Sequence, residues 1–277
     1  MGSLLIALVA GMLWLDQGWA PWYPFQLAFQ MAVALGASLE LSHLFHPKPH
    51  QSFSLFAGVI ALTGANWLLP AMGWEGRIFS VLVSIMAGMQ LLIFLWEMAT
   101  FAAPGQSVEG MARTWWGIGY LGLLPAFFAQ IRWLYEPGSP LGTEALALAI
   151  FVPKGCDIGA YCTGRLLGKH PMAPILSPKK TWEGAIGGLV CACIVACGID
   201  FATDNGVLGH SLLLGVGFGL TIGLAGMLGD LAESLIKRDC AKKDASAVVP
   251  GFGGVLDVVD AVIFAAPVAY FWYRILK

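Results

Sequence analysis

Charge is what this 277-residue chain has least of: only 12% of its residues are Asp, Glu, Lys or Arg, about half the 25% typical of soluble domains. So few charges cannot cover a water-facing surface, and a soluble protein or a basic nucleic-acid-binding surface is excluded. The six cysteines (Cys156, Cys162, Cys191, Cys193, Cys197 and Cys240) form no CxxC pair and lie mostly in apolar segments, so they read as packing residues and not as zinc or redox groups. The charged C-terminal loop has neither a P-loop lysine motif nor GxGxxG, and neither nucleotide-binding fold is implied. Internal repeats and low-complexity segments are absent. The N-terminal MGSLLIALVAGMLWLDQGW is apolar but lacks a basic leader and a small-residue cleavage site, so it is expected to stay as a first span.

Apolar residues, in contrast, make up 58% of the chain, and its mean hydropathy is +0.75. A helix needs about 20 apolar residues to cross the hydrocarbon. That ruler predicts an all-α, polytopic integral membrane protein with about nine transmembrane helices, near 3–19, 23–45, 52–71, 77–100, 113–134, 141–163, 183–203, 207–236 and 254–275. Residues 1–277 read as a single membrane domain, with N-terminal helices of unspecific role over 1–135 and catalytic helices and loops over 141–277.

Basic residues in short loops set orientation. With the N-terminus in the cytoplasm, Lys48, Arg113, Arg165, Lys169, Lys179, Lys180, Lys237, Arg238, Lys242 and Lys243 fall inside, against Arg77, Arg132, Arg274 and Lys277 outside. His43, His46 and His50 flank a Pro-containing loop and read as a solvated segment at the membrane edge. Glu40 and Glu97, near cytoplasmic helix ends, read as helix caps or interfacial groups.

Three charged constellations stand in or beside the last four spans. Lys154 and Asp157, three apart, share a face of an apolar span, where unpaired charge is expensive. The loop Gly164-Arg165-Leu166-Leu167-Gly168-Lys169-His170, followed by Ser177-Pro178-Lys179-Lys180-Thr181-Trp182-Glu183-Gly184, has the cations and glycines to hold phosphates, or to anchor a helix pair by charge alone. Asp230, Glu233 and Lys237 share one helix face at i, i+3 and i+7, with Ser234 and Arg238 on the adjoining stripe. After Lys242, Lys243 and Asp244, Pro250-Gly251-Phe252-Gly253-Gly254 opens a helix bearing Asp257 and Asp260. Two carboxylate-bearing helices joined by a basic loop suit a magnesium ion shared with substrate phosphates. The Gly253 and Gly254 amides are expected at an anion-binding helix N-terminus.

The string Ser234-x-x-Lys237-Arg238-x4-Lys243-Asp244-x5-Pro250-Gly251-x-Gly253-Gly254-x-x-Asp257-x-x-Asp260 resembles the signature of the phosphatidate cytidylyltransferase (CDP-diacylglycerol synthase) family. Asp157-x-Gly159-Ala160-Tyr161-x-x-Gly164-Arg165-x-x-Gly168-Lys169, with Ser177 to Gly184, resembles a second block of that family. Two positions depart: Phe252 stands where the family usually has His, and Val258 where an Arg usually follows the first aspartate.

The resemblance implies that CTP and phosphatidic acid give CDP-diacylglycerol and pyrophosphate, with Mg2+, at the cytoplasmic face of a bacterial inner membrane. It implies Asp230 and Asp257 as metal ligands, with Asp260 and Glu233 next, and a catalytic set of Asp230, Asp257, Asp260, Lys237 and Arg238. Phosphate contacts are implied for Lys237, Arg238, Lys243, Arg165, Lys169, Lys179 and Lys180. Asp157 with Lys154 would organise the polar cavity, while Ser177, Thr181, Glu183, Ser234, Asp244, Gly253 and Gly254 complete the substrate surface. The partners are then CTP, phosphatidic acid and the bilayer, with no nucleic acid and with a homo-oligomer compatible. Two rivals stay open on the residues alone: a CTP-dependent enzyme of an isoprenoid lipid (a CDP-archaeol synthase or polyprenol kinase), and a non-catalytic transporter.

Overall fold

The computed structural model describes residues 2–45, 48–204, 206–242, 246 and 253–277. Its helices are α1 (Gly2–Asp16), α2 (Pro24–Phe45), α3 (Pro49–Ala71), α4 (Ile78–Ala99), α5 (Ser107–Ile118), α6 (Leu124–Arg132), α7 (Pro140–Leu167), α8 (Trp182–Ala202), α9 (Leu212–Asp239) and α10 (Val255–Leu276). Among the described residues, seven of them, α2, α3, α4, α7, α8, α9 and α10, are long and apolar enough to cross a membrane. The first expected span is a helix of 15 residues, and the fifth is divided. A π turn at Gly119–Leu123 separates α5 from α6, a change of hydrogen-bond register that a count of apolar residues does not see.

Helix starts follow from local chemistry. Ser139 precedes Pro140, and its hydroxyl accepts from Leu141 N at the start of α7. Thr181 does the same for Gly184 N at α8, and Ser211 for Leu214 N at α9; each side chain satisfies a donor the helix cannot. The α7–α8 connection, expected as an irregular loop, contains a small antiparallel hairpin of β1 (Pro171–Ala173) and β2 (Ser177–Thr181), with Pro171 opposite Thr181 and Ala173 opposite Ser177.

Small residues bring the C-terminal helices close. A Cβ on Gly159 would lie 2.4 Å from Cys191 Cβ, so α7 and α8 pack with backbones nearly touching, as membrane helices do. Ala149 and Val152 of α7, Ala192 of α8, Phe218 and Ile222 of α9 and Ala265 of α10 form one buried core. A second core joins Leu41, Leu62 and Ile118 from the N-terminal half to Ile236, Leu256 and Ile263 of α9 and α10. Outward, α4 and α8 present Phe79, Val83, Leu95, Ile186 and Ile194, all exposed. Lipid is a good solvent for such faces and water is not.

The charges gather at helix ends. At one end Asp16 accepts from Phe25 N and Gln26 N, and buried Arg132 sits 3.9 Å over the Tyr23 ring. At the other, the ends of α2, α4, α7 and α9 meet the starts of α3, α8 and α10. There Lys242 Nζ reaches His43 O at 3.0 Å. His50, expected in solvent, is instead buried and lies 2.6 Å from Glu97, which also holds Lys48 at 2.8 Å. The partner lies 47 residues away, beyond any local pattern. His46 is outside the described residues.

Candidate active site

Helical spacing puts Asp230, Glu233 and Lys237 on the face of α9 that meets α10. Lys237 Nζ bridges Glu233 Oε2 and Asp257 Oδ1, each at 2.5 Å. Asp257 in turn accepts from Gly254 N at 2.6 Å, closing the first turn of α10. Gly253 adopts φ +94°, and a Cβ there would lie 2.7 Å from Asp257 Oδ2, so the turn needs glycine twice over. One turn further on, Asp260 is buried and lies 3.7 Å from Lys154 Nζ, which pairs with Asp157 at 2.8 Å. The face shared by Lys154 and Asp157 thus opens onto α9 and α10.

Asp230, Glu233 and Asp260 converge, each placing a carboxylate oxygen within 4.8 Å of the others. Of the two expected metal ligands, Asp230 belongs to this group; Asp257 stands beside it, engaged with Lys237 and the backbone. Asp230 also lies 2.7 Å from Lys180 Nζ, brought in by β2. Five carboxylates (Asp157, Asp230, Glu233, Asp257 and Asp260) therefore face three ammonium groups (Lys154, Lys180 and Lys237) among the described residues. The carboxylates outnumber the ammonium groups by two in this partly buried site. Glu233 Oε1 is buried and accepts no hydrogen bond among the described residues. An oxygen-only donor set of three converging carboxylates, one of them with an orphaned acceptor, fits a hard divalent cation.

Next to the carboxylates lies a cavity of about 500 Å³ walled by Asp157, Arg165, Lys179, Lys180, Thr181 and Asp230, among others. The hairpin carries the two lysines over it. Arg165 is exposed and donates to Tyr161 Oη at 2.9 Å.

Other expected site residues do structural work. Glu183 accepts from the backbone N of Lys169 and His170 and pairs with the His170 ring at 2.5 Å, fastening the hairpin to α8. Thr181 caps α8, Ser177 opens β2, and Ser234 is buried on α9. Arg238 Nε donates to Leu176 O at 3.2 Å, tying α9 to the hairpin. At the helix N-terminus where the Gly253 and Gly254 amides were expected to receive a phosphate, Gly254 N donates to Asp257, and Glu40 of α2 accepts from the next two amides, Val255 N at 2.7 Å and Leu256 N at 2.8 Å. Lys243, Asp244, Pro250, Gly251 and Phe252 lie outside the described residues. Cys240, just past α9, has its thiol pKa pushed up by partial burial and then by neighbouring Asp239, which keeps it a poor nucleophile.

Two groups escaped the sequence reading. Glu40 was legible as a cap but not as the cap of this helix. Tyr120, in the π turn, is buried edge-on to Phe264 of α10, and no local pattern marks it.

The family model described as "Cytidylyltransferase family" matches residues 1–276. A Haemophilus influenzae protein named phosphatidate cytidylyltransferase is 29% identical, with 91% of this chain and 99% of the relative aligned. A Pseudomonas aeruginosa protein of the same name is 32% identical over 86% of this chain and 91% of its own length. One from Staphylococcus aureus is 39% identical over 54% of each.

Proposed function

Because the chain belongs to the cytidylyltransferase family, we propose that it joins CTP to phosphatidic acid, releasing pyrophosphate and leaving CDP-diacylglycerol in the membrane. The observation that carries this reading is the juxtaposition of the Asp230–Glu233–Asp260 cluster with a cavity whose other wall is Arg165, Lys179 and Lys180. A cation-binding pole and an anion-binding pole side by side are what two polyanionic substrates require.

A phosphate monoester oxygen of the lipid attacks the α-phosphorus of CTP; the new P–O bond forms as the α–β bridge breaks and pyrophosphate departs. That oxygen is already a competent nucleophile near neutral pH, so the protein need not activate it. Its task is to hold two anions together in line. Lys179, Lys180 and Arg165 bind phosphate oxygens at the cavity wall. Lys180 exchanges its ion pair with Asp230 for substrate, and Lys237 keeps Glu233 and Asp257 in register.

Mg2+ would be held by Asp230, Glu233 and Asp260, with Asp257 beside them, and supplies charge neutralisation when bound. Lys154 holds Asp157 and Asp260 on the cavity side. The basic loops and this site lie at one end of the bundle, which supports a bacterial inner-membrane enzyme with its site facing the cytoplasm. The N-terminal helices act with the catalytic half as one membrane domain, since Glu40 organises the start of α10.

The test is to incubate the purified protein with labelled CTP, Mg2+ and, in turn, phosphatidic acid, a geranylgeranylated glycerol phosphate and a polyprenol. Labelled CDP-diacylglycerol is expected with phosphatidic acid. Product only with an isoprenoid lipid, or no turnover with any lipid, overturns the assignment.

A further inference from the structure

Asp157, Tyr161 and Arg165 follow one another at four-residue steps along α7, and all three line the cavity beside the carboxylates. Each such step advances about 6 Å along the helix and turns about 40° around it, so the row winds away from Asp157 toward a neighbouring stripe. That stripe carries Ile158 and Leu166, 53% and 81% exposed, with Cys162 exposed between them. An exposed apolar stripe on a membrane-crossing helix faces lipid. Arg165 therefore stands on the edge where the cavity meets the bilayer. It lies in the last turn of α7, the level at which a cation meets lipid headgroups.

The opposite wall has another origin. Lys179 and Lys180 lie on β2, in the connection outside the membrane-crossing helices. The hairpin is fastened over α9, where Arg238 Nε donates to Leu176 O at 3.2 Å and Lys180 pairs with Asp230 at 2.7 Å. Two carboxylates of the cavity wall are thus engaged by lysines, Asp157 by Lys154 and Asp230 by Lys180. Arg165 is held instead by a neutral group, the Tyr161 hydroxyl, to which Nη1 donates at 2.9 Å. A guanidinium held in this way keeps its full charge and its other N–H donors for a phosphate, which it can grip with two parallel hydrogen bonds. Tyr161 is 64% exposed, and an exposed polar pair contributes little to stability, so anchoring the fold does not account for it.

We propose that the cavity is divided between its two anionic substrates: Arg165, with Tyr161 as its positioning residue, takes the phosphate monoester of the lipid, and the hairpin lysines take the triphosphate of CTP beside the carboxylates. The inference rests on the reaction given under Proposed function and assigns each of its substrates to one wall. The lipid then reacts without leaving the bilayer. Its acyl chains stay against the stripe of Ile158, Cys162 and Leu166, and only the phosphate crosses the edge.

The experiment compares the parent with Tyr161→Phe, Arg165→Ala, these two combined, and Lys179→Ala combined with Lys180→Ala. Turnover is measured in mixed micelles at saturating Mg2+, varying the mole fraction of dioleoyl phosphatidic acid and the CTP concentration separately, alongside thermal unfolding. Arg165→Ala is expected to raise KM for phosphatidic acid about tenfold or more. Tyr161→Phe is expected to raise it about fivefold, as one hydrogen bond to a charged group is lost, with Tm unchanged and turnover recovered at saturating lipid. Both should keep the parent KM for CTP. Tyr161→Phe should add nothing in the Arg165→Ala background, because it acts through Arg165. The lysine variant is expected to raise KM for CTP alone. An unchanged KM for phosphatidic acid in Arg165→Ala, or a rise in both KM values in either wall's variants, overturns the division. Parent-like kinetics of Tyr161→Phe, or full additivity with Arg165→Ala, overturns the role of Tyr161. A parent that makes no CDP-diacylglycerol overturns the proposed reaction and this inference with it, a result distinct from the others.

Discussion

Glu40 accepts a hydrogen bond from the backbone N of Val255 at 2.7 Å across 215 residues of sequence, and its second oxygen accepts from Leu256 N. A carboxylate from α2 thus caps the N-terminus of α10 and holds the helix that carries Asp257 and Asp260. The negative charge also suits the positive end of the helix dipole.

Removing that cap should loosen the start of α10. Glu40→Ala is expected to destabilise the protein by about 2 kcal/mol, since it leaves buried backbone donors unpaired. Glu40→Gln, which keeps one acceptor oxygen, should fall between the two. Thermal unfolding in detergent measures this, and an unchanged Tm for Glu40→Ala would show that the cap contributes little.

Carboxylate substitutions should separate by role. Asp230→Asn and Asp260→Asn are expected to lower metal affinity on the order of 100-fold or more with folding intact. Asp257→Asn is expected to abolish turnover and also to lower Tm, because Lys237 and Gly254 N lose a charged partner. Activity against Mg2+ concentration, set beside unfolding curves, distinguishes them; wild-type activity of Asp257→Asn at limiting Mg2+ would remove Asp257 from the site.

The hairpin lysines should govern substrate use and leave insertion alone. Lys179→Ala combined with Lys180→Ala is expected to raise KM for CTP, phosphatidic acid or both by about tenfold or more, as charge-assisted contacts are lost. Membrane insertion should persist on the remaining basic loop residues. Unchanged KM values would reduce the hairpin to a membrane anchor.

Orientation is open to a direct measurement. Lys169→Cys, in the exposed α7–α8 connection, should resist a membrane-impermeant maleimide in intact cells and react in inverted vesicles. Pro137→Cys, exposed between α6 and α7 at the opposite end, should do the reverse. The opposite pattern would invert the topology.

What the sequence determined by itself was whatever depends on neighbours in the chain. Apolar runs of membrane-crossing length led to the helices, and the spacing of Asp230, Glu233 and Lys237 put them on one face because a helix repeats every 3.6 residues. The resemblance rested on such local strings too, and the family match agrees with it. Among the described residues seven helices are long and apolar enough to cross a membrane, beside about nine expected spans; a length count does not see that α1 has 15 residues or that a π turn divides the fifth rod. Only the tertiary structure decided which distant groups meet. Lys180 reaches Asp230 because the α7–α8 connection folds into a hairpin; His50 is buried against Glu97 because α3 and α4 share an end; Glu40 caps α10, and Tyr120 packs edge-on to Phe264 of α10. These pairings depend on how helices cross, which packing over the whole bundle sets and no short window of sequence encodes.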